Sequence, residues 1–141
     1  DYILYQVEKP KVLLIAEVNH LEDYISLEKM RFHDTLIVNF KKEKLNDTLQ
    51  IPPMLLIPFV ENSFKHGVII DGSLKVDIHL KIANNCLFFE IENSSKRKEE
   101  TNTGIGLPNI RKRLEMLYPG KHQLEIIRNN NTFKVHLKIE F

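Results

Sequence analysis

Between Leu74 and Ile82 the chain alternates strictly. Leu74, Val76, Ile78, Leu80 and Ile82 are apolar, and Lys75, Asp77, His79 and Lys81 stand between them. Successive side chains of a strand point to opposite faces, so this run is a strand with one face buried and one face wet. A sheet built from such strands needs cover on one side only, which narrows the architecture before any other residue is considered. The same signature recurs. Asn84-Asn85 is a hairpin turn into a second strand, Cys86–Glu92. At the C-terminus, Leu124 and Ile126, then Phe133, Val135, Leu137, Ile139 and Phe141, alternate around a turn at Asn129-Asn130-Asn131.

The cover has to come from helices. From about Ile15 to Arg31, Leu21, Tyr24, Ile25, Leu27 and Met30 recur at spacings of three and four, with Glu22, Asp23 and Glu28 between them. Pro52 and Pro53 suit a helix start, where a missing N–H costs nothing. A helix is predicted from about Pro53 to Lys65, with Leu55, Leu56, Phe59, Val60 and Ser63 on its packed side. Pro58 inside it predicts a kink or a slipped start, and Gly67 reads as the C-cap. A third helix runs from about Leu107, with Leu107, Ile110, Leu114 and Leu117 as its stripe, and Tyr118-Pro119-Gly120 stops it. Thr35 to Phe40 reads as a further strand, Lys41 to Gln50 as a polar connection, and Asp71-Gly72 as a turn. Residues 94–103 (SSKRKEETNT) hold no apolar residue and read as a solvated loop. No internal repeat is visible. The expected fold is an α/β (α+β) two-layer sandwich, with helices on one face of a mixed, mostly antiparallel sheet.

The 141 residues, 43% hydrophobic and 28% charged, suit one globular domain. Twenty Lys+Arg against nineteen Asp+Glu leave +1, no basis for an extended nucleic-acid footprint. The single cysteine, Cys86, excludes an internal disulfide and a cysteine-rich zinc site, and reads as a small hydrophobe. His20, His33, His79, His122 and His136 show no metal-ligand spacing. There is no P-loop motif and no nucleophile elbow. No apolar run reaches the roughly 18–20 residues that span a bilayer. The start, Asp1-Tyr2-Ile3-Leu4-Tyr5, lacks an initiator Met and a basic leader, so the sequence is expected to be a piece of a larger protein. Pro10 marks a break. Residues 1–14 are read as the tail of a preceding region or a linker, and 15–141 as the domain.

Two constellations could carry chemistry. In Glu61-Asn62-Ser63-Phe64-Lys65-His66-Gly67, Asn62, Lys65 and His66 stand at i, i+3 and i+4 and share one helical face. A neutral hard oxygen suits Mg²⁺, and an ammonium with an imidazole suits phosphate oxygens. The same residues also read as a polar last turn complementing the helix dipole, with Glu61 and Lys65 as an ordinary i,i+4 ion pair. In Thr103-Gly104-Ile105-Gly106-Leu107, glycines open a helix whose unpaired N–H groups would welcome phosphate, though a plain loop-to-helix joint reads equally. Arg111-Lys112-Arg113 follows, either a solvated face or, through an arginine, a phosphate contact.

Taken together, these strings resemble one family. The run from Ile51 through Gly67 looks like the N box of LytS/YehU-type sensor histidine kinases. The run from Gly104 through Gly120 resembles their second glycine box and the helix after it, and Leu21 to Phe32 resembles the helix that opens their ATP-binding domain. The resemblance implies a Bergerat-type (GHKL) ATP-binding sandwich, with ATP and Mg²⁺ as cofactors. By it, Asn62 holds Mg²⁺, and Lys65 and His66 approach the phosphates. Glu61 polarises water or partners Lys65, so that Glu61, Asn62 and Lys65 form the catalytic set. Gly104, Ile105, Gly106 and Leu107 anchor a lid formed by 94–103, Arg111 and Arg113 lie near phosphate, and Asn93 takes the adenine-sensing position. Two departures stand out. Asn93 replaces the family's usual Asp and is followed by Ser94 and Ser95 without glycine, and no P-H-F-type phosphoacceptor motif is present. The implied function is the catalytic domain of a two-component kinase whose phosphoacceptor histidine lies outside this sequence. Its expected partners are the dimerisation/phosphoacceptor domain of the same protein and a response regulator, with no nucleic acid and no direct membrane contact. The parent would be a homodimer anchored in the membrane, with this domain in the cytoplasm. The rivals are a degenerate GHKL docking module and a GHKL ATPase or protein kinase of another class.

Overall fold

The computed structural model describes residues 10–45, 48–96 and 106–141. In chain order, β1 (Val12–Leu13) leads into α1 (Leu14–Phe32), a 3-10 turn (His33–Thr35), β2 (Leu36–Glu43) and β3 (Gln50–Ile51). Then come α2 (Ile57–His66), β4 (Leu74–Ala83), β5 (Cys86–Ser94), α3 (Gly106–Leu117), β6 (His122–Arg128) and β7 (Thr132–Glu140). The main sheet has five strands in the order β2-β4-β5-β7-β6, while β1 and β3 pair separately as a short antiparallel ribbon. Among the described strands only β2 and β4 are parallel, and the crossover between them carries α2. The β4–β5 hairpin turns on Asn84 and Asn85, both left-handed (φ 54° and 62°), as a two-residue hairpin with positive φ at both positions requires.

Alternation decides the faces. Leu74, Val76, Ile78 and Leu80 of β4, Leu87, Phe89 and Ile91 of β5, and Val135, Leu137 and Ile139 of β7 are all buried. They form one core with Leu14, Leu21 and Ile25 of α1, Phe59 and Val60 of α2, and Leu114 of α3. Phe59 and Phe89 meet with ring centroids 6.0 Å apart, fixing α2 over the middle of the sheet. The other face is polar. There Glu90 of β5 receives His136 at 2.8 Å and Lys134 at 3.8 Å, and His79 pairs with Glu43. The expected sandwich, mixed sheet and one-sided helices are all present.

Four local expectations change. Helix α2 starts at Ile57, not Pro53, with Pro58 in its first turn, so the start has slipped and the proline needs no kink. The packed side of α1 is Leu14, Glu17, Val18, Leu21 and Ile25, while Leu27 and Met30 are 66% and 71% exposed. The polar connection is partly strand: β2 runs on to Glu43, and Gln50–Ile51 pair with β1. Strand β5 continues through Asn93 and Ser94, so Ser94 belongs to the sheet and not to the polar loop. Residues 97–103 of that loop lie outside the described residues.

Candidate functional site

The end of β5 and the last turn of α2 are fastened side by side. The Val68 N–H donates to the Ser94 carbonyl (2.9 Å). The Ser94 hydroxyl donates to the Val68 carbonyl (2.8 Å) and accepts from the Lys75 N–H (3.1 Å), so one buried serine joins β4, β5 and the segment after α2. The Gly67 N–H closes α2 on the Ser63 carbonyl (2.9 Å). Gly67 has φ −68° and ψ 155°, not the left-handed C-cap geometry. Glycine is required there for space, because a Cβ would lie 2.6 Å from both Leu74 Cδ1 and the Ser63 oxygen, and 3.5 Å from Asn93 Nδ2.

Asn93 is 2% exposed. Its Nδ2 donates to the Ser94 carbonyl (3.0 Å), which leaves Oδ1 buried without a hydrogen-bond partner among the described residues. A buried acceptor left unmatched costs about 1–3 kcal/mol. It suits a ligand that brings an N–H donor, such as the amino group of a nucleobase. Beside it, the exposed side of α2 carries the polar set: Glu61, Lys65 and His66 are exposed, Asn62 is half-buried, and Ser63 and Phe64 face the core. Glu61 also neighbours α1. Burial first, then Glu28 by charge and hydrogen bond, then the charge of Glu61, push the Tyr24 phenol up to about 12.

A third arrangement lies at the other end of α2. Met54 is left-handed (φ 60°). The buried Glu17 of α1 accepts the Met54 N–H at Oε1 (3.1 Å) and the Leu56 N–H at Oε2 (2.9 Å). From α3, Arg113 donates through Nη1 to the Met54 carbonyl (2.8 Å) and through Nη2 to the Pro53 carbonyl (2.6 Å). The guanidinium expected near phosphate is therefore turned onto backbone. Arg111 is exposed on α3, Leu107 is buried with its side chain in the core, and Gly106 opens the helix. Gly104 and Ile105 lie outside the described residues. Asn93 is brought against Gly67, at the end of the helix that carries Asn62, Lys65 and His66, while Arg113 goes to the opposite end of that helix.

Sequence reasoning missed Ser94 and Glu17. Glu17 could have been found, since it falls on the same helical stripe as Leu14, Val18 and Leu21, where a carboxylate needs partners. Ser94 carried no such signal, sitting at the head of a wholly polar run. Among the described residues no group of three His, Cys, Asp or Glu side chains could hold a metal. A hard cation at Asn62 would draw its remaining ligands from phosphate and water, which is the usual habit of Mg²⁺. Among the described residues no helix is long and apolar enough to cross a membrane.

No family model matches the chain. Sensor histidine kinase BtsS of Escherichia coli K12 is 35% identical over 107 residues, which is 73% of this chain and 19% of BtsS. Sensor protein LytS of Oceanobacillus iheyensis is 29% identical over 133 residues, 82% of this chain and 23% of LytS. Among solved structures, the catalytic domain of histidine kinase ThkA superposes with a TM-score of 0.66 at 16% identity, covering 93% of this chain and 94% of that domain. The chain is a relative of the LytS-type sensor histidine kinases, with the fold of a histidine kinase catalytic domain. Acinetobacter baumannii histidine kinase AdeS shares that fold, with a TM-score of 0.67 at 13% identity, over 93% of this chain and 66% of AdeS. The chain spans about a fifth of the length of the curated sensor kinases it matches.

Proposed function

We propose that this chain is the ATP-binding catalytic domain of a sensor histidine kinase, delivering the γ-phosphoryl group of MgATP to a histidine outside this sequence. The observation that carries the reading is the unpartnered Asn93 Oδ1, buried at the end of β5 beside the polar turn of α2. An amide oxygen there accepts from the exocyclic amine of adenine. The polar turn then faces the phosphates: Asn62 holds Mg²⁺, Lys65 and His66 donate to phosphate oxygens, and Glu61 polarises water or steadies Lys65. Mg²⁺ supplies charge neutralisation, and the protein supplies position, which is most of what phosphoryl transfer needs. Gly104, Ile105, Gly106 and Leu107 are assigned by resemblance to the phosphate end, through backbone in the case of the buried Leu107, with the exposed Arg111 nearby. In this reading residues 15–141 are the domain and 1–14 the end of the dimerisation/phosphoacceptor region. The parent protein is a membrane-anchored homodimer with this domain in the cytoplasm. Its other partner is a response regulator, as in the complex of ThkA with the response regulator TrrA.

Calorimetric titration with a non-hydrolysable ATP analogue and Mg²⁺ tests the reading. The wild-type chain is expected to bind. Asn93→Leu is expected to weaken binding about tenfold or more, the equivalent of one well-placed hydrogen bond. Its unfolding midpoint should stay close to the wild-type value, because losing the Nδ2 bond to the Ser94 carbonyl, which keeps the Val68 N–H as donor, is offset by removing an acceptor that the free chain leaves unmatched. A folded wild-type chain giving no heat at millimolar nucleotide would defeat the proposal.

A further inference from the structure

The turn that feeds α2 is held from both sides by side chains belonging to the other two helices. Met54 sits in the left-handed region, which a residue with a Cβ enters at a cost of about 1–2 kcal/mol. Its own N–H goes to Glu17 of α1, and its own carbonyl goes to Arg113 of α3. The neighbouring groups are captured by the same two side chains, the Leu56 N–H by Glu17 and the Pro53 carbonyl by Arg113. Leu56 is the N-cap of α2 and provides no side-chain cap of its own. Glu17 instead takes the N–H of the N-cap residue itself, as the reciprocal half of a capping box does, and its carboxylate complements the dipole of α2. Resting on the nucleotide-binding reading above, we infer that Glu17 and Arg113 are positioning residues for the nucleotide site, acting together through the 53–56 turn to fix where α2 begins.

The consequence for the site follows from stiffness. From Ile57 to Asn62 the backbone is continuous helix, so a shift of the first turn is passed undiminished to Asn62, and one turn further to Lys65 and His66. Glu17 ties that start to α1 and Arg113 ties it to α3, so the polar face of α2 stands in a fixed relation to both. The chemistry is specific to arginine. Two carbonyls on consecutive residues are matched by the planar fork of a guanidinium, whereas an ammonium presents one point of charge. With Nη1 and Nη2 both engaged, Arg113 serves the phosphates indirectly, by placing other residues.

The test uses the chain as given, with Arg113→Gln, Arg113→Lys, Glu17→Gln and, as a control on an exposed neighbour, Lys112→Gln. Two quantities are read: amide hydrogen exchange at Met54 and Leu56 without nucleotide, and calorimetric affinity for the MgATP analogue. Arg113→Gln and Glu17→Gln should each speed exchange at those amides and weaken binding by about tenfold, the size of one lost charge-assisted hydrogen bond. The double variant should lose less than the two single losses combined, since both act on one turn. Arg113→Lys should resemble Arg113→Gln, and Lys112→Gln should match wild type. Restored affinity in Arg113→Lys, or weakened binding with exchange unchanged, would make Arg113 a phosphate ligand and overturn the inference. Faster exchange with affinity intact would reduce the pair to scaffold and overturn it too. Should Arg113→Gln fail to fold, Arg113→Lys and Glu17→Gln carry the same comparison. A wild-type chain that binds no nucleotide overturns the catalytic-domain reading itself, while the exchange rates still decide whether the pair holds the turn.

Discussion

At position 67 the chain needs an absence of atoms. The backbone there is ordinary, φ −68°, so any residue could adopt it. What excludes a side chain is the approach of the Ser63 oxygen and Leu74 Cδ1 to within 2.6 Å of where a Cβ would stand. The oxygen is backbone at the end of α2 and cannot swing aside. Gly67→Ala is therefore expected to cost about 1–3 kcal/mol of unfolding free energy, read as a lower urea midpoint with an unchanged slope. An unchanged midpoint would mean that the end of α2 can retreat from β4, and that the contact with Asn93 is loose. The sequence shows a glycine after a helix but not why it is there, because a left-handed cap and a close approach leave the same letter. Asn93 is similar. Its identity is plain in the sequence, yet the lone acceptor arises only because Nδ2 is claimed by the Ser94 carbonyl.

Helices α1 and α2 are joined by rings as well as by the Glu17 contact. Tyr24 meets Phe64 edge-on with centroids 5.7 Å apart, and Phe32 lies 6.4 Å from the same ring. Tyr24 is only partly buried, but burial together with Glu28 and Glu61 still raises its phenol from 10.0 to about 12. A folded pKa above the unfolded one means that folding favours the protonated phenol. Its contribution is complete below about pH 10 and is lost as the pH climbs through about 12. Solvent screening at a half-exposed site limits it to about 1 kcal/mol. Tyr24→Phe should therefore unfold with a shallower loss of stability between pH 10 and 12 than wild type, a difference seen by comparing urea midpoints across that window. Identical slopes would place the phenol in water, away from Glu28. The elements were legible where one periodicity governed them. The strict alternation of 74–82 gave β4 to within a residue at its end, whereas the ends of α2 and the stripe of α1 were displaced. In α2 the prolines 52, 53 and 58 offered several starts, and the chosen one depends on Glu17 and Arg113, which lie 39 residues before and 59 residues after their partners. In α1, Leu27 and Met30 match the helical spacing but point away from the sheet, because the buried arc is anchored by Leu14 and Leu21.

At the scale of the whole molecule, function depends on pieces that meet only through the strand order. The helix-bearing crossover from β2 to β4 sets α2 on the dry face, and the hairpin after β4 returns β5 so that Asn93 lies opposite Val76 and Phe133. Alternation told which face each strand presents, but not that the end of β5 would lie against the segment leaving α2. That juxtaposition is set by the Ser94–Val68 pair. The resulting site gathers no cluster of metal-ligating side chains among the described residues, and this has a measurable consequence. Asn62 is neutral, and among the described residues no three carboxylates, imidazoles or thiols are grouped to take a metal. In the proposed function, then, Mg²⁺ and nucleotide bind as one unit, and stability should report this through linkage. A ligand held by the folded state alone adds about 2.7 kcal/mol at a hundredfold excess over its dissociation constant. The MgATP analogue at that excess should raise the unfolding temperature accordingly, the nucleotide with a chelator should raise it less, and Mg²⁺ alone should leave it where it was. Asn62→Ala should erase the difference between the magnesium and chelator samples without lowering the chelator value. A rise with Mg²⁺ alone, or a magnesium effect that survives Asn62→Ala, would place the cation elsewhere and remove Asn62 from the site.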